Sequence, residues 1–180
     1  MASAFTHAIA AVALGKATLL QKQGWKFWLL GMFCAVIPDA DAIGFWMGVP
    51  YDSLWGHRGI THSFFFAFLL ALAVMLLFYK ADRPSSGRWW LLLSFFFLST
   101  ASHSLLDACT TGGLGVAFFA PFHNERYFFP WQVIQVSPIG VASFFSKWGI
   151  EVLISEFKWV WIPCMVVMAI SAFVSNAVRK

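Results

Sequence analysis

Residues 60–79, 89–108 and 157–178 each run for close to the roughly 20 residues that cross a hydrocarbon core, and each carries at most one Asp, Glu, Lys or Arg. Three such runs leave a soluble fold too little polar surface to face water. With 60% hydrophobic and only 11% charged residues, against roughly a quarter charged in an average globular domain, the chain belongs in a bilayer. Two further segments complete the count. One covers residues 2–20 and is interrupted by His7 and Lys16; the other starts at Trp25, stays apolar to Ile37, and continues through Pro38 to about residue 47. Pro38 has no N–H and crowds the preceding turn, so the helix should be disturbed there, which is tolerated at membrane depth where the backbone lines a cavity or is buried in protein. The expected fold class is all-α: one membrane-embedded domain over residues 1–180, a polytopic bundle of about five transmembrane helices.

The 21 Phe and 10 Trp suit lipid-facing surfaces and interfacial belts. A net charge of +4 without a basic stripe gives no footing for nucleic acid and is read as a signal of membrane orientation. The first residues have no cationic leader and no small-residue cleavage pattern, so a removed signal peptide is not expected. Cys34, Cys109 and Cys164 lie within or at the end of apolar runs with no paired spacing, as small apolar fillers do.

Lys and Arg mark cytoplasmic loops. Lys16, Lys22 and Lys26 surround the first turn, Lys80, Arg83 and Arg88 fill the loop 80–88, and Arg179 and Lys180 end the chain. With five spans these share one side, giving an N-terminus out and a C-terminus in, with an outward-facing segment over residues 110–156. At 1.5 Å per residue, Asp39 then lies about 20 Å from Lys26, His103 about 22 Å from Arg88, His7 about 22 Å from Lys22 and His62 about 27 Å from Lys80. All four reach the outer part of the membrane.

Ionisable groups at that depth are costly and point to function, and imidazole with carboxylate is the ligand chemistry of zinc and similar metals. His103 and Asp107 are four apart on one helical face and can reach one ion; alone, the pair serves equally as an interhelical hydrogen bond. His62, at the start of the third long run, is a ligand candidate. His57 just before it can be a ligand, a general acid or base, or a supporting partner. Arg58 has the planar fork that suits phosphate oxygens. Asp39 and Asp41 flank the helix break, so at least one turns inward. His7, read alone, fits an interhelical hydrogen bond as well as a ligand. After Asp107, Thr111 and Gly113 belong to a Gly-rich turn with backbone N–H groups for an anion, or to a plain exit turn. Arg126 can hold an anionic head group, and His123 and Glu125 are spare ligands or interfacial anchors.

The set His7, Pro38-Asp39-x-Asp41, His57-Arg58-Gly59-x-Thr61-His62-Ser63, and His103-x-x-Leu106-Asp107 with Thr110-Thr111-x-Gly113 resembles the YdjM-type family of LexA-regulated, inner-membrane, metal-dependent hydrolases of bacteria. The order His, Asp, His, then His-x-x-x-Asp is also similar, more remotely, to the all-helical zinc-dependent phospholipase C and P1 nuclease superfamily. That resemblance implies one zinc on Asp39, His62, His103 and Asp107, and a second on His7 with Asp107 shared. It also implies a phosphoesterase. The further His and His-x-x-x-Glu ligands of the soluble enzymes are not matched, since only His123 and Glu125 follow, at another spacing.

The expectation is therefore a hydrolase of the bacterial inner membrane with one or two Zn2+ ions, or another divalent metal, facing the outer side. Its partners are the bilayer and a lipid-like phosphoester, with Asp41 or His57 as base or proton shuttle and Arg58 steadying the substrate. A metal- or proton-coupled transporter and a non-enzymatic structural or regulatory protein are the other classes. Residues 65–77 and 91–97 contain no acid and no histidine, which speaks against a relay through the membrane.

Overall fold

The computed structural model describes residues 1–18, 20 and 23–178, so the expectations resting on Lys22, Arg179 and Lys180 lie outside the described residues. Helix α1 (Ala4–Ala17) starts at Ser3, whose hydroxyl accepts from the Thr6 N–H. Helix α2 (Trp25–Val36) tightens into a 3-10 segment (Ile37–Ala42) with Pro38 in its first turn, then continues as α3 (Ile43–Trp46). The proline thus narrows the helix without ending it. A short 3-10 turn (Ile60–His62) leads into α4 (Phe64–Phe78), capped by Ser63, and Ser86 caps α5 (Gly87–Ala108). In each cap a hydroxyl satisfies one of the N–H groups that a helix start leaves open.

Beyond α5 the chain winds without regular strands among the described residues, held by isolated bridges at Thr110–Ile134 and Val116–Tyr127. It then forms α6 (Val141–Phe144), α7 (Lys147–Glu156), a π-helical segment (Phe157–Trp161) and α8 (Ile162–Val178). The last helical run therefore begins at Lys147, ten residues before the apolar stretch suggested from sequence.

Three helical runs, Trp25–Trp46, Gly87–Ala108 and Lys147–Ala177, are long and apolar enough to cross a membrane; Ala4–Ala17 and Phe64–Phe78 are shorter apolar helices. Helix α5 is the centre of the bundle. In its most apolar stretch 61% is buried, against 6% for Lys147–Ala177, so the last run lies at the margin with its flank open to lipid. Phe27 and Cys34 of α2, Ala71, Val74 and Met75 of α4, and Leu92, Leu93, Phe95 and Phe96 of α5 form the main core. Gly31 lets α2 close on α5, since a Cβ there would stand 2.6 Å from the Phe95 ring. Ser99 and Thr100 of α5 are buried, and their hydroxyls donate to the Phe95 and Phe96 carbonyls one turn back. Neither brings an unsatisfied polar atom into the apolar core. All three cysteines are free.

Candidate metal centre

The end of the bundle away from this apolar core gathers the ionisable residues. Asp39 and Asp41 sit two apart on the 3-10 segment. At three residues per turn they leave the axis about 120° apart, so the two acids serve different neighbours. Asp39 turns toward α5 and His62. Asp41 turns toward His57 and Thr61.

One ligand atom each from Asp39, His62, His103 and Asp107 lies within 4.8 Å of the others. The two imidazole Nε2 atoms are 3.0 Å apart. Asp39 Oδ1 is 3.3 Å from His103 Nε2 and 3.7 Å from His62 Nε2. Asp107 Oδ2 is 3.6 Å from His62 Nε2 and 3.9 Å from His103 Nε2. Ligands at the usual Zn–N and Zn–O lengths around a tetrahedron stand about 3.3 Å apart, so the set has the spacing of a cation's coordination shell.

The tautomers suit the same purpose. His103 Nδ1 lies 2.7 Å from the Ala35 carbonyl oxygen; a carbonyl only accepts, so Nδ1 carries the proton and Nε2 keeps its lone pair. His62 Nδ1 faces Asp41 Oδ2 at 3.2 Å, which directs the His62 Nε2 lone pair inward. Two lone pairs at 3.0 Å repel unless a proton or a cation lies between them. Asp39 adds a second signal, because both its oxygens are buried without a hydrogen-bond partner, and a buried carboxylate left so is strongly disfavoured. Two imidazoles and two carboxylates so placed could hold a metal ion.

Around the four ligands lies a layer of orienting bonds. Asp107 Oδ1 accepts from the Ala2 N–H at 2.7 Å, and Oδ2 accepts from Arg58 Nε at 3.0 Å. Arg58 is fully buried, and its two remaining nitrogens donate to the Gly112 carbonyl and to Thr110 Oγ1. Asp41 accepts from four donors: His57 Nδ1 at 2.6 Å, Thr61 Oγ1 at 2.5 Å, Arg58 N at 3.2 Å, and His62 Nδ1. His57, His62 and Asp41 also stand close enough to hold an ion, but with its acceptor capacity taken up Asp41 is built to orient the histidines.

Gly113 has φ +94°, and a Cβ there would stand 2.7 Å from both Arg58 Nη1 and Tyr51 Oη. Gly113→Ala is expected to cost about 1–3 kcal/mol through backbone strain alone and to weaken metal loading by displacing Arg58. Thermal denaturation in detergent with metal content checks this; a variant that melts with the parent would contradict it.

The other candidates fall outside the cluster. His7 stacks on His103, ring centroids 3.7 Å apart, with Nε2 3.6 Å from Asp107 Oδ1. It is fully buried, neither ring nitrogen has a hydrogen-bond partner, and it does not join the four-residue group. Arg126 donates to the carbonyls of Tyr51, Ser53 and His57, and its guanidinium lies 5.5 Å from the Tyr51 ring centroid. It pins the loop over the site, and burial lowers its pKa while raising that of the Tyr51 phenol. Thr111 pairs with Ile134 and Val136 away from the ligands. His123 and Glu125 are exposed side by side, 3.9 Å apart, and join neither group.

Sequence reasoning missed Glu156. It is fully buried at the end of α7 and accepts from the Ser3 N–H, Ser3 Oγ and Thr6 Oγ1. Trp161, five residues on, donates its indole N–H to the same Thr6 hydroxyl at 2.7 Å. An acid within a largely apolar stretch, after Ile154 and Ser155 and before Phe157, was the available signal, hidden because residue 156 closes the segment 110–156 expected to face outward.

The YdjM inner membrane protein family matches residues 1–179. The chain is 39% identical over 168 residues to the inner membrane protein YbcI of Escherichia coli (strain K12), covering 93% of this chain and 95% of that protein. No solved structure matches.

Proposed function

Since the chain belongs to the YdjM family of inner membrane proteins, we propose that it is a membrane-embedded, metal-dependent hydrolase centred on Asp39, His62, His103 and Asp107. The observation that carries this reading is their convergence from three separate elements, with the buried carboxylate of Asp39 left without a hydrogen-bond partner. A divalent ion held there supplies a Lewis acid and a water acidified toward neutral pH. The reaction assigned to the site is hydrolysis of an ester, and a phosphoester of a lipid suits it best.

Within this reading each residue has a task. His57, its Nδ1–H given to Asp41, keeps Nε2 to take and return a proton, and Asp41 fixes its orientation. Arg58 holds positive charge behind Asp107 and sets the direction of that carboxylate. His7, with both nitrogens unpartnered beside Asp107, is the added donor for a second ion. We place the site at the outer face of the inner membrane on the distribution of Lys and Arg. A transporter is less well supported, because Phe27, Met75, Leu92, Phe95 and Phe96 fill the bundle beyond the cluster.

The test is metal analysis of detergent-purified protein, with hydrolysis of a phospholipid and polyprenyl-phosphate panel measured before and after chelation. One or two equivalents of zinc, and an activity that chelation removes and Zn2+ restores, are expected. Protein that arrives metal-free and takes up none would reject the reading.

A further inference from the structure

We infer that a hydrocarbon chain of a membrane lipid lies in a groove along α2, with the lipid's polar end at Asp39. The inference rests on the proposed hydrolase only for calling that lipid a substrate. Its first observation is how the cluster is enclosed. The side chains of His62, His103 and Asp107 are 0% exposed, and of the four ligands Asp39 alone keeps exposure, at 10%. Asp39 is therefore the ligand nearest the surface, its exposure lying on carbon while both carboxylate oxygens stay buried just beneath.

The second observation is what Asp39 borders. It stands at one end of a cavity of ≈ 480 Å³ otherwise lined by Met32, Phe33, Val36, Ile37 and Ala40. A larger apolar cavity of ≈ 550 Å³ beside Phe5 and Phe144 is lined by none of the four ligands. The groove follows a helical run long and apolar enough to cross a membrane. Phe33, in the groove's wall, has about half its surface open. Its walls offer nothing to a water-soluble polar molecule.

The third observation is the chemistry at its end. The Asp39 oxygens lie just beneath the groove's end, buried and without hydrogen-bond partners, so two acceptors with spare capacity stand within one turn of the hydrocarbon wall. A molecule that fits must be apolar along its length and polar at one tip. A lipid whose polar end donates a hydrogen bond, as the glycerol hydroxyls of phosphatidylglycerol do, meets both needs, approaching sideways from the bilayer.

The experiment uses purified protein in vesicles of phosphatidylethanolamine and phosphatidylglycerol containing a phosphatidylglycerol with a diazirine in mid-chain. Crosslinks are mapped by mass spectrometry after illumination. Phe33 and the half-buried Met32 and Val36 are expected to exceed Leu69 and Ile170, which are about as exposed as Phe33 or more so, by about tenfold, equivalent to roughly 1.4 kcal/mol of preference. Val36→Trp, which fills the groove, is expected to remove that excess while leaving metal content unchanged. Even labelling of all these positions in the parent protein overturns the inference, as does an excess that survives Val36→Trp. Labelling needs neither metal nor turnover. A metal-free protein with a labelled groove would end the hydrolase reading and support the groove.

Discussion

Asp107→Ala is expected to strip the protein of its bound metal and to lower its folding stability by about 3–5 kcal/mol, the cost of leaving a buried charge without its partner. The carboxylate has two roles at once. Oδ2 faces His62 and His103 while accepting from Arg58 Nε, and Oδ1 accepts from the Ala2 N–H. Removing it leaves the guanidinium of Arg58 sealed among Thr110 and Gly112 with no counter-charge at its Nε. Asp107→Asn separates the two effects, because the amide oxygen can still accept from one donor but is a poor metal ligand. The measurements are metal per chain and the melting temperature in one detergent. An Asp107→Ala protein with the parent's metal content and melting temperature would remove the centre from consideration.

Asp41→Ala should reduce metal affinity by about ten- to a hundredfold, the usual effect of losing a carboxylate behind a ligating histidine, and should depress hydrolysis further than metal loss explains. The substitution removes the acceptor of four donors and releases both His57 and His62 from their orientation. Titration with zinc gives the first effect. Activity at saturating zinc gives the second, since by then only the His57 defect remains. Parental zinc affinity in Asp41→Ala would show that His62 is oriented by something else.

Apolar run length carried the all-helical class, because a segment such as 89–108 has no other stable way to cross lipid. Sequence depth also brought Asp39, His62 and His103 to one level with His7, and the structure places the first three within 4.8 Å of one another and of Asp107, leaving His7 outside that group. What depth does not encode is rotation about each helix axis. Asp39 and Asp41 looked interchangeable until the 3-10 geometry of Ile37–Ala42 turned them to different neighbours. Arg58 and Arg126 looked free for an anion, but Arg58 is taken up by Asp107, Thr110 and Gly112 and Arg126 by the carbonyls of Tyr51, Ser53 and His57, pairings that no local pattern announces. Glu156 was illegible for the same reason, since its donors lie about 150 positions earlier in the chain.

The π-helical segment after Glu156 has a mechanical meaning of its own. In a regular α-helix, positions five apart leave the axis about 140° from each other, so residues 156 and 161 would face different ways. The wider i to i+5 winding stacks them, and both reach Thr6. A helix clasped at one point can roll about it, whereas the first helix is held at two, Thr6 and Ser3, because Glu156 also accepts from Ser3. The first helix is thereby denied its roll, and the imidazole one position beyond Thr6 stays flat against its neighbour on α5.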